Sequence, residues 1–243
     1  MTRQGLGGLR VAVLRVGDGA DGLAAALRDS GAVVATLRVG TVVQHSDDEV
    51  LEAVGELARF AWVAVTSANA AVCLSMWARA WPVATRVAAV GPATGRAIGA
   101  LGVRCDTLAP RGTAASLATR IDEGPVLFLA GASATADLAT ALGAKGVDVT
   151  TVVVYDVERR PLDDDDARAI AASDVVVATS PASIDALDEL PASKRGPALD
   201  VPLVALGPTT SRRARERGWP VAAESATRSP ASVCDAVLAT AGR

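Results

Sequence analysis

The sequence predicts an α/β fold of two similar doubly wound parallel-sheet domains with an internal repeat, and three observations lead there. First, short apolar runs of strand length alternate with helix-like segments from end to end, and most runs are continuously apolar, the pattern of strands covered by helices on both faces. Second, one device occurs twice: the apolar run 87–90 stops at Gly91-Pro92-Ala93-Thr94, and the run 201–206 stops at Gly207-Pro208-Thr209-Thr210. Gly lets the backbone turn sharply, Pro fits the first helical turn, and Thr can cap free amides or hold an anion beside them. Third, Gly91 and Gly207 are 116 positions apart, as are Gly102 and Gly218. Leu23, Leu27 and Gly31 match Leu138, Leu142 and Gly146 at 115, and Thr66-Ser67 matches Thr179-Ser180 at 113. The chain thus reads as two copies of one unit, divided near Gly124; a solenoid would repeat every ~20–50 residues.

In chain order, 10–14 is a short apolar run closed by Arg15-Val16-Gly17-Asp18-Gly19. Asp21 can cap the next segment, where Leu23, Ala26 and Leu27 keep helical spacing up to Gly31. A strand over 33–39 completes a β-loop-α-β opening; Gly17, Gly19 and Gly22 match the dinucleotide-binding fingerprint too poorly to support that site. The stretch 40–48 is a polar bridge holding the one histidine, His45, which beside Gln44 and Ser46 reads as a solvated surface residue. Asp47, Asp48 and Glu49 open a helix through Leu57, complementing its positive end. The strand 61–65 ends at Thr66-Ser67-Ala68-Asn69, and the following helix turns Val72, Met76 and Trp77 to the core.

Past the first Gly-Pro turn, Gly112-Thr113-Ala114-Ala115-Ser116 caps a helix through Ile121. A strand over 125–129 ends at Ala130-Gly131-Ala132-Ser133, and a helix over 136–142 follows. The β-branched strand 149–154 closes at Tyr155-Asp156-Val157. The charged stretch 158–166 carries four consecutive Asp, which read as a solvated helix cap rather than a metal site. A strand over 173–179 meets the helix cap Thr179-Ser180-Pro181-Ala182-Ser183, with a longer loop at 193–200; segments 219–222 and 229–239 finish the second copy.

Composition removes several function classes. Lys and Arg total 24 against 27 Asp and Glu, with no basic block, which argues against nucleic acid. No apolar run is long enough to span a membrane, and no apolar h-region follows the Gly-rich start, so a cytoplasmic protein is expected. Cys73, Cys105 and Cys234 are far apart and lack a C-x-x-C pattern; they predict neither a disulfide framework nor zinc, and lie in predicted helices or strands. No Cys-His or Ser-His pairing, P-loop or metal-ligand spacing is present, so neither metal nor cofactor is expected. What remains at the carboxyl ends of the strands is hydroxyls and helix N-termini, which suit carboxylates or phosphates. Both copies carry such clusters, which face a common cleft if the domains oppose each other.

The ordered set Val65-Thr66-Ser67-Ala68-Asn69-Ala70, Val90-Gly91-Pro92-Ala93-Thr94, Val154-Tyr155, Thr179-Ser180-Pro181-Ala182-Ser183 and Leu206-Gly207-Pro208-Thr209-Thr210 resembles the uroporphyrinogen-III synthase family. An opening strand ending in Arg15, with the spacing to Leu27 and Gly31, extends the resemblance over essentially the whole chain. The resemblance implies two doubly wound domains joined by a two-stranded linker, one built from 1–39 with 158–243 and the other from 40–157. It implies a cyclising hydro-lyase of tetrapyrrole and heme biosynthesis, which closes hydroxymethylbilane with inversion of ring D and loss of water, without cofactor or metal. Tyr155 matches the family's tyrosine thought to help the hydroxyl depart. Arg15, Thr66, Ser67, Asn69, Gly91, Thr94, Ser180, Ser183, Gly207, Thr209 and Thr210 are the matching candidates for binding acetate and propionate groups. The implied partner is a small polycarboxylate, the linear tetrapyrrole, bound by a monomer with no nucleic acid and no membrane. Val16 and Ala68 replace prolines common in the family, and Ala130 replaces an arginine. Those departures keep two other readings in view: a divergent relative using the same cleft for another anionic substrate, and a non-catalytic two-lobed ligand-binding or regulatory protein.

Overall fold

A computed structural model describes residues 5–17, 22–46, 48–76, 81–134 and 136–242, apart from the side chains of Glu49, Val54 and Met76. Asp21, Asp47 and Trp77 lie outside the described residues, as does the Met76 side chain. In chain order the elements are β1 (Arg10–Val16), α1 (Gly22–Asp29), β2 (Val33–Gln44), α2 (Asp48–Gly55), β3 (Trp62–Val65), α3 (Ala68–Val72), β4 (Arg86–Ala89), α4 (Pro92–Ala100), β5 (Thr107–Leu108), α5 (Ala114–Ala118) and β6 (Val126–Gly131). There follow α6 (Asp137–Gly143), β7 (Val149–Arg159), α7 (Asp164–Ala171), β8 (Val175–Ala178), α8 (Pro181–Asp188), α9 (Ala192–Leu199), β9 (Leu203–Ala205), α10 (Pro208–Glu216), β10 (Val221–Glu224) and α11 (Pro230–Ala241).

The strands form one mainly parallel sheet in the order β10-β9-β8-β1-β2-β7-β6-β3-β4-β5, where separate sheets are expected from the sequence. The difference comes from β2 and β7, which stay extended through residues that read as polar bridges. Thr41, Val42 and Val43 are β-branched and favour strand over loop, and β7 continues to Arg159. The Arg160 amide donates to the Val39 carbonyl at 3.0 Å, and the His45 amide donates to the Val154 carbonyl at 2.9 Å. These pairings run in opposite directions, so β2 and β7 are antiparallel.

The chain divides into two compact units, Met1–Thr41 with Glu158–Arg243, and Val42–Val157. A boundary near Gly124 is therefore not observed; that residue lies within the second unit. In the first unit β1 feeds both faces of its sheet, as a period of two requires. Ala12 and Leu14 enter the cluster with Leu37, Ile170, Ile184, Leu187 and Trp219. Val11 and Val13 enter the other, with Leu27, Val177, Val233 and Val237. In the second unit β3 does the same: Val63 and Val65 pack with Leu74, Ile98 and Leu129, and Trp62 and Ala64 with Leu117, Phe128 and Leu138. Each fully buried Leu or Ile contributes roughly 1.5–3 kcal/mol by removal from water.

Three local expectations change. Val72 is 50 % exposed and not a core residue, because the α-helix stops at that position and passes into a 3-10 turn over Cys73–Met76. The loop expected over 193–200 is mostly helix α9, which carries Pro197 inside it. Its first turn closes on the Pro191 carbonyl, which accepts from the Lys194 and Arg195 amides at 2.8 and 2.9 Å. Cys105 lies outside helix and strand, in the loop before β5.

Candidate functional site

In the second unit the carboxyl end of β3 and the middle of β7 meet around one hydroxyl. Ser67 is the N-cap of α3, and its Oγ accepts from the Asn69 amide at 3.1 Å. The Tyr155 hydroxyl donates to the same Oγ at 3.2 Å. The Tyr155 ring is half-buried, packed at the margin of the cluster holding Leu127, Leu129 and Val154. β6 and β7 pair in step as far as Ala130 and Val153, and an irregularity then sets Gly131 opposite Tyr155. Thr66 is half-buried beside Ser67, and the Gln44 side-chain amide donates to the Asn69 carbonyl at 3.1 Å. On the adjoining strand β4, Gly91 caps α4 in extended backbone without a side-chain cap, and Thr94 is 4 % exposed. His45 is half-buried at the surface: its Nδ1 lies 3.3 Å from the Val153 carbonyl, so β7 holds both its ring and its amide.

In the first unit the Leu14 carbonyl, at the carboxyl end of β1, gathers three donors. The Thr179 amide, the Thr179 hydroxyl and the Ser183 hydroxyl reach it at 3.2, 2.8 and 3.0 Å. Ser183 is completely buried, and Ser180, the N-cap of α8, lies 3.3 Å from it, oxygen to oxygen. These hydroxyls fasten α8 to β1 next to Arg15. Arg15 pairs in register with Arg38 on β2, so two cations stand side by side. Gly207 caps α10; Thr209 is exposed and Thr210 is 3 % exposed. The Arg228 Nε lies 3.7 Å from where a Cβ on Gly207 would sit, which places a cation beside the free amides of that helix start.

Several of these partners do not stand out in the sequence. Gly131 is a strand glycine, a recognised sign of close approach, but nothing local names Tyr155 as what approaches. Arg38 and Arg228 belong to no motif; only strand register brings Arg38 beside Arg15, and only the return of the chain after β10 brings Arg228 beside Gly207. Ala130 is 3 % exposed in the cluster with Phe128 and Leu138, a position that this packing fills with a small apolar side chain.

The Cys73 and Cys105 thiols are not poised for chemistry. Burial pushes the Cys73 thiol up to about 11 and raises Cys105 as well, so both stay protonated at neutral pH. Among the described residues no group of three or more His, Cys, Asp or Glu is placed to hold a metal ion. No helix among them is long and apolar enough to cross a membrane. A depression lined by Asp122, Glu123, Lys145 and Asp148 opens before β6 and β7, at the strands' amino ends. In parallel α/β sheets ligands gather at the other end.

Uroporphyrinogen III synthase from the extremely thermophilic bacterium Thermus thermophilus, in a mutant crystal form, superposes with a TM-score of 0.63 at 16 % identity, covering 95 % of this chain and 98 % of that one. Uroporphyrinogen-III synthetase from Helicobacter pylori gives the same TM-score and identity, covering 97 % of this chain and 100 % of that one. At that identity the likeness establishes the fold. Among curated proteins none matches the sequence. The sequence profile described as uroporphyrinogen-III synthase HemD matches residues 10–235, nearly the whole chain from β1 into α11. On that match, the chain belongs to the uroporphyrinogen-III synthase family.

Proposed function

We propose that this protein is a uroporphyrinogen-III synthase, a lyase that closes hydroxymethylbilane into the type III ring with inversion of ring D and loss of water. The family match over residues 10–235 carries the reading. The site chemistry fits it, because an electron-rich pyrrole supplies its own push when the hydroxyl leaves. The protein's part is then to fold and orient a polycarboxylate, and orientation alone can supply much of a rate enhancement.

Four groups of residues divide the work. Thr66, Ser67, Asn69, Ser180 and Thr209 reach the rim and bind carboxylates directly, with the amides at Gly91 and Gly207. Thr94, Ser183 and Thr210 are buried and act by fixing the backbone that presents those amides. Arg15, with Arg38 and Arg228, supplies the positive charge for charge-assisted contacts, the stronger kind. Tyr155 assists the departing hydroxyl.

The reading extends to the architecture: two copies of one doubly wound domain, of 1–39 with 158–243 and of 40–157, joined by β2 and β7. Matched N-caps at Gly91 and Gly207, and matched left-handed glycines at Gly31 and Gly146 and at Gly102 and Gly218, support it. The protein acts as a cytoplasmic monomer without metal or cofactor; its free cysteines suit a reducing compartment. Light scattering near 24.5 kDa checks the monomer.

The deciding experiment supplies hydroxymethylbilane and separates the type III product from type I, which forms spontaneously. A type III excess over the enzyme-free control is expected. Its absence refutes the synthase reading.

A further inference from the structure

We propose that Gly131 is a positioning residue: the space left by its missing side chain is the slot into which the Tyr155 ring fits, and this holds the phenol oxygen on Ser67. A Cβ at position 131 would lie 2.5 Å from Tyr155 Cζ, 2.6 Å from its hydroxyl oxygen and 2.8 Å from Cε1. Those are the three nearest atoms, so the ring itself fills the space. Gly131 is not among the glycines with positive φ, so the backbone there is open to any residue and only the ring demands glycine. The pairing irregularity after Ala130 makes Gly131, rather than a residue with a side chain, the neighbour of Tyr155. The Ala132 amide then fixes the Tyr155 carbonyl at 2.9 Å. From the far side, Ser67 accepts the phenol proton at 3.2 Å.

The inference rests on the reading of Tyr155 as the assisting group. A methyl group at 131 must push the ring outward, because strand backbone on both sides cannot move freely. The hydroxyl then leaves Ser67, and a misplacement of this order costs up to about 10²-fold in rate.

Tyr155 is the only tyrosine, so protein labelled with 3-fluorotyrosine gives a single fluorine resonance. That line is expected to move in Gly131→Ala and in Ser67→Ala. In the unlabelled protein Gly131→Ala lowers kcat by about 10- to 100-fold with little change in KM, and causes no further loss when added to Tyr155→Phe. A purely structural role predicts the same loss in both backgrounds, and that result overturns the proposal; so does an unmoved resonance. If Gly131→Ala fails to fold, Gly131→Ala with Tyr155→Val must fold, since the ring is gone; failure of the double variant also overturns it. The fluorine comparison needs no turnover, so a wild type that makes no type III excess removes the synthase reading and still leaves the slot decided by spectroscopy.

Discussion

The Ser67 Oγ accepts from the Tyr155 hydroxyl and from the Asn69 amide, which engages both of its lone pairs and leaves its own proton to donate outward. Removing the phenol oxygen alone isolates the chemical contribution. Tyr155→Phe is expected to lower kcat by about 10²-fold, the low end for general-acid assistance, while KM changes little. Steady-state kinetics with chemistry rate-limiting check this, and an unchanged kcat makes Tyr155 a packing residue. Ser67→Ala has a separate cost, because it strips the cap from α3 and leaves two donors unmet; urea denaturation is expected to show a loss of about 1–2 kcal/mol. Cys73 offers a third check at this scale. Its raised value of about 11 means a neutral, buried thiol at pH 8. A disulfide reagent in excess is expected to modify it only after denaturation, and rapid labelling of the native protein would contradict its burial.

The start of α7 shows how much an element boundary can carry. Asp163 caps the helix in a reciprocal box with Asp166. Amide hydrogen bonds from Asp166 and Asp165, with the charge of Arg160, hold the Asp163 carboxyl below the usual range despite the opposing effect of desolvation. Lys194 depresses Asp164 in the same direction, chiefly by a side-chain hydrogen bond. A lowered folded-state value gives the native form its full stabilisation above the unfolded value near pH 4, and that contribution is lost as pH falls on through the lowered folded-state value. Asp163→Asn keeps an acceptor for the amides but does not titrate. Its urea midpoint is therefore expected to fall less than the wild type's on going from neutral pH to below about pH 4; an equal fall would remove Asp163 from the acid response. The run of Asp reads in the sequence as a solvated cap, and its cap role is there, but Asp166 is 9 % exposed and bonded to Arg160 at 2.7 Å. Element starts were legible wherever a side chain or a Gly-Pro pair marks them, as at Ser67, Gly91, Thr113, Ser180 and Gly207. Strand ends were less so, because β2 and β7 are prolonged by pairing with each other, a long-range property. The contact of Gly131 with Tyr155, and the hydrogen bond of Tyr155 to Ser67, were illegible for the same reason: the residues are distant in sequence, and a one-residue irregularity in register sets Gly131 opposite Tyr155.

At the scale of the whole molecule, the apolar clusters of each unit draw only on that unit's residues. The two in the second unit run from Val50 to Tyr155, an uninterrupted piece of chain. A fragment of residues 42–157 is expected to unfold cooperatively in urea, whereas 1–41 alone is not, since Val11–Leu14 pair with Val175–Ala178 as well as with β2. A fragment 42–157 without a cooperative transition would show that its cores depend on the rest of the chain. The same connectivity orders events during synthesis. Val11 must wait for Val175, 164 positions later, which at roughly 5–20 residues per second takes about 8 to 33 s. For most of that interval β1 and β2 trail from the ribosome as an apolar ribbon with both edges open, since β7 and β8 are still to come, while the inserted unit can finish folding. A nascent chain at that stage is half native and half adhesive, so chaperone demand should peak before β8 emerges and fall once it docks.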